Sequence, residues 1–217
     1  MKVLLLGATG RTGALILEEL LQHGHIVHAL VRDENKVKAT SSALTVFEGS
    51  TLDGQALNAA MQGCEAIISA LNISRHSDFP WSALRTPENF LSATITKVIS
   101  EANQHQIKRV IVISAWGVNE TRTHIPWWFR WTIDHSNIKY AYRDHEQQEE
   151  LLKQSDLDWT VIRPAGLVNS AVIKPVKISL NNSPKPSLII SRKSVATFTI
   201  NVLEQGLYVR QAPVISN

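Results

Sequence analysis

A glycine-rich turn between two apolar segments constrains the fold of this chain more than any other feature. Residues 7–13 read GATGRTG; they follow the apolar run 3–6 and lead directly into residues 14–21, whose apolar positions have helical spacing. Glycine permits a sharp turn and a close approach of helix to strand, because it has no Cβ atom. We therefore predict a buried strand, a tight turn and an amphipathic helix at the start of the chain.

The same turn is suited to binding a phosphate group. Backbone N–H groups in the first turn of a helix have no partner within the helix, and they lie at the positive end of its dipole. A glycine triplet at a strand-to-helix junction, here Gly7, Gly10 and Gly13, is the pattern of dinucleotide-binding folds. The alternative is an ordinary strand–helix turn with no ligand.

Strand-like and helix-like segments alternate along most of the chain. The predicted strands are residues 3–6, 26–31, 44–48, 66–70, 109–113 and 159–163, and the predicted helices are residues 14–21, 53–61, 87–105 and 137–154. This alternation predicts an α/β fold, a doubly wound and mostly parallel sheet in three layers, which is the Rossmann fold. The alternation of strands and helices becomes irregular after residue 163. Beyond it, residues 176–180 and 187–190 resemble strands, and residues 195–204 resemble a helix. We predict one domain over residues 1–217 with a small C-terminal elaboration.

Composition limits the compartment and the partners. The 22 basic and 19 acidic residues form no long basic run, so we expect a small-molecule ligand and no nucleic acid. Cys64 is the only cysteine, which excludes an internal disulfide; we predict no metal site, an unreactive apolar thiol and a cytoplasmic location. No apolar run approaches membrane-spanning length, so we expect no membrane partner. We also expect a monomer or a homodimer.

The end of the second predicted strand distinguishes between two dinucleotides. NAD-binding folds usually place an acidic residue there to accept hydrogen bonds from the ribose 2′-OH, whereas this chain has Arg32 followed by Asp33. A guanidinium binds a 2′-phosphate through charge-assisted hydrogen bonds, and Arg11 in the turn could add a second positive charge. We predict NADP(H) in preference to NAD(H). The alternative is that Arg32 is a solvated charge and Asp33 binds the ribose.

Several segments together carry a family resemblance. They are the glycine turn, Val31-Arg32-Asp33, Ile113-Ser114-Ala115, and residues 157–164, which read LDWTVIRP. In combination they resemble an atypical short-chain dehydrogenase/reductase, of the subgroup that holds the NmrA-like proteins and the biliverdin/flavin reductases. The resemblance runs nearly from end to end of the chain.

The resemblance implies positions for the cofactor. The backbone from Thr9 to Thr12 would hold the pyrophosphate, Ala70, Leu71 and Asn72 would pass under a ribose, and Pro164, Ala165 and Gly166 would lie near the nicotinamide. Two positions depart from the family pattern. Short-chain enzymes carry Tyr-x-x-x-Lys on the helix after the fifth strand, where this chain has Ala141 and His145. Gly166 stands where flavin-reductase relatives carry a histidine, so bile-pigment chemistry is not carried over.

The missing tyrosine bears on the reaction. Reducing a simple ketone leaves a localised alkoxide that needs a proton donor, whereas flavins and quinones spread the charge over a conjugated ring. We therefore predict an NADPH-dependent reductase of a flavin- or quinone-type acceptor, with Ser114 and His145 as catalytic and cofactor-binding residues. Ser114 could hydrogen-bond the acceptor or the nicotinamide carboxamide, or only satisfy the strand-end backbone. His145 could hold the nicotinamide ribose, or be a solvated helix residue.

Tryptophans concentrate near the predicted substrate loops. Residues 125–131 read IPWWFRW, and their rings could stack a planar acceptor, plug a gap between helices or form a subunit contact. For Trp127 and Trp128 together we favour a structural role, whereas Trp116, close after Ser114, is predicted to line the substrate pocket. Two other functions stay open: a non-catalytic NmrA-like protein that senses NADP(H), and a nucleotide-sugar epimerase.

Overall fold

A mostly parallel sheet lies at the centre of the molecule. The computed structural model describes residues 1–170 and 174–217. Its strands in that part of the chain are β1 (Lys2–Leu6), β2 (Ile26–Val31), β3 (Leu44–Glu48), β4 (Ala66–Ser69), β5 (Arg109–Ile113), β6 (Asp158–Pro164), β7 (Gly166–Val168), β8 (Lys177–Ser179), β9 (Ile189–Ser191) and β10 (Val214–Ser216). The main sheet has the order β3-β2-β1-β4-β5-β6-β10-β8, and β7 pairs with β9 in a second small sheet.

Helices cover both faces of the main sheet. They are α1 (Arg11–Gln22), α2 (Gly54–Met61), α3 (Phe90–Gln104), α4 (Trp127–Asp134), α5 (Ile138–Lys153) and α6 (Arg192–Glu204). Successive residues of a strand point to opposite faces, so β1 supplies both layers of the core. Val3 and Leu5 pack in the cluster that contains α1 and α6 side chains. Leu4 and Leu6 pack with side chains of α2, α3 and α5. Burial on both faces explains the uninterrupted apolar run of β1.

The strand order confirms the predicted fold class. Strands β1 to β6 are parallel in the order 3-2-1-4-5-6, which is the doubly wound Rossmann arrangement. Helix α1 begins at Arg11, directly after its N-cap residue Gly10 and three positions before the predicted start at residue 14. In the described residues, no helix has the length and apolar character needed to cross a bilayer.

The C-terminal part differs from the prediction. The sequence did not predict strands β7 and β10, nor helix α4 earlier in the chain. The predicted strands 176–180 and 187–190 do not pair with each other. Instead β8 pairs antiparallel with β10, which itself lies parallel to β6, while β9 pairs with β7. The C-terminal elaboration therefore extends the main sheet by two strands as well as forming the small β7–β9 sheet. Elsewhere, burial raises the pKa of the Cys64 thiol to about 11, which is the direction expected for an unreactive side chain.

Candidate functional site

The glycine turn brings the carboxyl ends of β1 and β4 into contact. Gly7 has a φ of +84°, and a Cβ atom on it would lie 2.9 Å from the carbonyl carbon of Ala70. A Cβ atom on Gly13 would lie only 2.0 Å from the carbonyl oxygen of Gly7, so the first turn of α1 packs directly on the strand end. Strand order reverses between β1 and β4, and ligands of open α/β sheets bind at such a point.

The start of α1 has the donors that a pyrophosphate needs. Gly10 is the N-cap residue, and no side chain caps the helix. Its own N–H donates to the carbonyl of Gly7 at 3.0 Å, which shapes the turn. The N–H groups of Arg11, Thr12 and Gly13 therefore have no acceptor in the helix and lie at its positive end. This donor set fits a diphosphate.

Asp33 is already engaged where a ribose would bind. One of its oxygens accepts from the backbone N–H of Asn35 at 3.2 Å, and the other lies 3.0 Å from Nζ of Lys36. These hydrogen bonds, of which the one from Lys36 contributes most, hold the pKa of Asp33 below its usual value. Arg32 is exposed beside this turn and is free of the capping role that Asp33 takes.

Arg11 has a different partner from the one predicted. Its guanidinium forms two hydrogen bonds of 2.9 Å with the carboxylate of Asp78, in the loop that follows β4. Both side chains are exposed. The expectation that Arg11 adds its charge to Arg32 at a 2′-phosphate stays a prediction.

A buried network begins at Ser114, immediately after β5. Oγ of Ser114 donates to Oε1 of Glu149 on α5 at 2.7 Å, and the side chain of Asn119 donates to the other carboxylate oxygen at 2.8 Å. Arg163 on β6 donates to the same carboxylate through Nε at 3.1 Å and through a terminal nitrogen. A second carboxylate, Glu120, also binds Arg163. Glu149 is 1% exposed and Arg163 is wholly buried.

The charges of this network stabilise one another. Burial alone would lower the pKa of the Arg163 guanidinium, but its hydrogen bonds to Glu149 and Glu120 raise it. Burial likewise opposes ionisation of Glu120, yet Arg163 lowers its pKa overall. Ser114 thus donates its hydroxyl hydrogen bond to the carboxylate of Glu149, so its oxygen lone pairs are what it offers to a ligand. The sequence carried one signal of this network: Arg163 is a charged residue inside an apolar strand, and such a residue needs a buried counter-ion.

His145 lies on the same buried face of α5. It is 2% exposed, so the alternative of a solvated helix histidine is wrong. Burial lowers its pKa to about 4, although the charges of Glu149 and Asp144 oppose the shift. Its Nδ1 lies 3.4 Å from Nε2 of Gln148. The ring is therefore neutral near pH 7, and its contact with a nicotinamide ribose stays a prediction.

Trp116 is mostly enclosed. It is 5% exposed in the apolar cluster beneath α1 and α6, and its carbonyl accepts a hydrogen bond of 3.2 Å from the hydroxyl of Tyr142. Burial raises the pKa of Tyr142 well above its usual value. The Nε1 donor of Trp116 is buried and has no hydrogen-bond partner among the described residues. Its role as a pocket wall stays a prediction.

The tryptophans of α4 do not plug a gap between helices. Trp127, Trp128 and Trp131 are 74%, 52% and 53% exposed, so of the structural roles favoured for the first two, filling a gap between helices is wrong and a subunit contact stays a prediction. Helix α4 begins at Trp127, directly after Pro126, and its spacing turns Phe129 and Ile133 toward the protein instead. Stacking on a ligand and contact with another molecule remain the alternatives for the exposed rings.

The segments after β4 and β6 are the ones that the resemblance assigned to the cofactor. The N–H of Ala70 donates to the carbonyl of Leu6 at 2.9 Å, so residues 70–72 leave the sheet beside the glycine turn. A Cβ atom on Gly166 would lie 2.9 Å from the carbonyl oxygen of Leu188. The β7–β9 pairing thus favours glycine at position 166, where relatives carry a histidine. Contacts of residues 70–72 and 164–166 with a cofactor stay predictions.

Comparisons with known proteins agree with this geometry. A family model described as NAD(P)H-binding matches residues 7–206. The chain is 26% identical to the oxidoreductase tpcG of Aspergillus fumigatus, over 86% of this chain and 73% of that protein. A short-chain dehydrogenase/reductase from Veillonella parvula, solved in complex with NADP, superposes with a TM-score of 0.82 at 18% identity, covering 100% of this chain and 94% of that one. The anaerobillin reductase ChuY from Escherichia coli O157:H7 gives 0.81 at 21% identity, covering 100% and 97%.

Proposed function

The chain belongs to the NAD(P)H-binding family, and from that premise we propose that it is an NADPH-dependent reductase of a flavin- or quinone-type acceptor. The choice of acceptor rests on one observation. The proton donors around the end of β5 already donate hydrogen bonds to other groups of the protein. Ser114 donates to Glu149, and Tyr142 donates to the carbonyl of Trp116. His145, with a pKa of about 4, is neutral near pH 7 and therefore has no acidic imidazolium proton to give.

Acceptors differ in how much they need such a donor. A ketone becomes a localised alkoxide as hydride arrives, and a positioned acid contributes roughly 10²–10⁴-fold to its reduction. A flavin or quinone distributes the charge over its ring, so positioning alone can supply most of the catalysis. When bound, NADPH supplies the hydride. The chain then orients the two partners, with Ser114 accepting a hydrogen bond from an N–H of the acceptor or of the carboxamide.

Preference for NADPH rests on the end of β2. Both oxygens of Asp33 are engaged by Asn35 and Lys36, which leaves little capacity for a ribose 2′-OH. Arg32 is exposed beside them and can bind a 2′-phosphate through a charge-assisted fork. The turn amides of α1 hold the pyrophosphate in the same crevice.

The exposed tryptophans of α4 favour one alternative function. A non-catalytic sensor of NADP(H) needs a surface for a regulatory partner, and large exposed apolar side chains are typical of such surfaces. Turnover distinguishes the two functions. We expect NADPH oxidation, followed at 340 nm, with at least one of FMN, riboflavin and menadione. Micromolar NADPH binding without turnover on any acceptor would instead favour the sensor.

Ser114→Ala tests the site within the same assay. Loss of one hydrogen bond should lower kcat/KM by roughly five- to tenfold. Ser41→Ala, in the loop before β3, is the matched control and should retain wild-type activity. Full activity of Ser114→Ala would remove Ser114 from the reaction, even if the reductase function stands.

A further inference from the structure

Three arginines lie around one carboxylate beside the start of α1. Arg11, in the first turn of α1, holds Asp78 through two hydrogen bonds of 2.9 Å. Arg75 lies in the same loop as Asp78, and Arg192 is the first residue of α6. The charges of both also reach Asp78 and, after the larger contribution of Arg11, help to lower its pKa. The cluster therefore has three guanidinium charges and one carboxylate.

Two of these guanidiniums are poorly compensated. Arg192 is 9% exposed, and its hydrogen bond of 2.7 Å goes to the neutral side-chain oxygen of Asn169. Burial and the like charge of Arg11 lower its pKa, although Asp78 opposes this. The Nε of Arg75 is buried and has no hydrogen-bond partner among the described residues. Enclosed positive charge without a matching anion is unfavourable, so this cluster is suited to bind one.

The position of the cluster points to the acceptor. Arg11 belongs to the turn expected to hold the pyrophosphate. Arg192 follows β9, which is parallel to β7, so Arg192 lies beside Asn169, three residues beyond Gly166, the position expected near the nicotinamide. Next to Asp78, Phe79 is largely exposed and its ring lies 5.3 Å from that of Trp81. Flat apolar surface beside uncompensated positive charge matches a planar molecule with an anionic substituent.

We propose that Arg11, Arg75 and Arg192 form a subsite for an oxyanion carried by the acceptor, and that Asp78 occupies this subsite until the acceptor binds. The proposal rests on the proposed reductase function and narrows it to acceptors with a phosphate, sulfonate or carboxylate group. Such a group would accept charge-assisted hydrogen bonds from Arg75 and Arg192, whereas the hydrogen bonds of Asp78 are with Arg11.

Matched acceptor pairs test this subsite. FMN and riboflavin share one ring system and differ in a phosphate, and 1,2-naphthoquinone-4-sulfonate differs from 1,2-naphthoquinone in a sulfonate. The readout is the ratio of kcat/KM for the charged member to that for the neutral member. We expect this ratio to favour the charged member in the wild type and to fall roughly ten- to hundredfold in Arg192→Gln. Asp78→Asn should raise the affinity for FMN, because it removes the competing carboxylate.

Control variants separate the subsite from general effects. Arg210→Gln changes an exposed arginine that precedes β10, near the start of β6 and far from the crevice, and should leave the ratio unchanged. Arg75→Gln gives a second measurement in case Arg192→Gln does not fold. Arg192→Lys keeps the charge without the planar fork and should give an intermediate ratio.

The possible outcomes separate this proposal from the function on which it rests. Equal kcat/KM within both pairs would overturn the subsite and leave the reductase intact. Calorimetry compares the effect of Arg192→Gln on the binding of NADPH and of FMN. If the substitution weakens both equally, the cluster holds a cofactor phosphate and the proposal is overturned. If no acceptor turns over, the reductase function fails, and quenching of flavin fluorescence in the presence of NADP⁺ decides the subsite. Tighter FMN than riboflavin binding would support it; equal or absent binding would overturn it.

Discussion

Glu149 and Glu150 are consecutive carboxylates of α5 with opposite surroundings. Glu149 is buried against Arg163, whereas Glu150 pairs with Lys153 at 2.7 Å at the surface. Removing the buried partner leaves the buried guanidinium of Arg163 with only the exposed carboxylate of Glu120, so Glu149→Ala should lower the free energy of unfolding by about 3–5 kcal/mol. Glu150→Ala should lower it by less than about 1 kcal/mol. Urea denaturation followed by circular dichroism measures both, and equal losses would contradict the assigned role of Glu149.

Arg32 makes the second prediction at the scale of single residues. If its guanidinium binds the 2′-phosphate, Arg32→Ala should weaken NADPH binding by roughly 10- to 100-fold, the value of a charge-assisted hydrogen bond. Binding of NADH, which lacks that phosphate, should change little. Calorimetry on the same protein compares the two coenzymes, and Lys97→Ala on the exposed face of α3 is the control. An equal loss for both coenzymes would assign Arg32 a structural role.

Sequence reasoning reached some of these residues and not others for a physical reason. Arg32 and Ser114 directly follow predicted strands, so the edge of the sheet on which they lie follows from alternation alone. Glu149 lies on a polar helix whose rotation about its axis is set by tertiary packing. Which of two adjacent glutamates turns inward to meet Arg163 is a long-range property, and no local pattern contains it.

At the scale of elements, a side chain of α5 caps the start of α3. The carboxylate of Asp144 accepts from the N–H groups of Leu91 and Ser92 at 2.6 and 3.1 Å. The local N-cap residue, Asn89, makes no side-chain capping bond. Asp144→Ala should therefore lower the free energy of unfolding by about 1–3 kcal/mol, whereas Asn89→Ala should change it by less than about 0.5 kcal/mol. Denaturant titration of both variants checks the assignment, and the reverse order would refute it.

His145 makes the buried face of α5 sensitive to pH. Its pKa falls from 6.5 to about 4 on folding, so the unfolded chain binds the proton more tightly. The stability that this provides is complete above pH 6.5 and is lost as the pH falls toward 4. The advantage of the wild type over His145→Asn should shrink by about 2 kcal/mol between pH 7 and pH 5. Unfolding measured at both pH values, with exposed His76→Asn as control, tests this. An advantage that is constant with pH would contradict the burial assigned to His145.

The elements that the sequence failed to indicate share one property. Strands β7 and β10 are each three residues long, and α4 spans eight residues, six of which are aromatic or β-branched. Segments this short span only one or two periods of hydrophobic alternation, so their structure depends on the neighbours against which they pack. The longer alternating segments, from β1 to β6, carry their own signal, and the structure confirms them.

At the scale of the whole molecule, the order of strands brings the ends of β1, β2, β4, β5 and β6 to one edge. The glycine turn, Arg32, residues 70–72 and Ser114 are separate in sequence and share this edge only because the sheet is parallel. The sequence could therefore predict the edge that carries the candidate site from strand alternation. The pairing of β7 with β9 could not be predicted, because it joins segments with no shared local pattern.

Coenzyme binding at this edge should stabilise the whole fold. A ligand that binds only the folded state at a hundred times its Kd adds about 2.7 kcal/mol to the free energy of unfolding. For a chain of this size, that corresponds to a rise in Tm of roughly 5–10 °C. NADPH should give this shift in thermal unfolding, and NADH at the same concentration should give a smaller one. Arg32→Ala should bring the two shifts together, while Lys97→Ala should retain the difference. Since the turn, the start of α1 and the end of β2 all contribute to one crevice, a Tm unchanged by both coenzymes would mean that this edge binds neither of them.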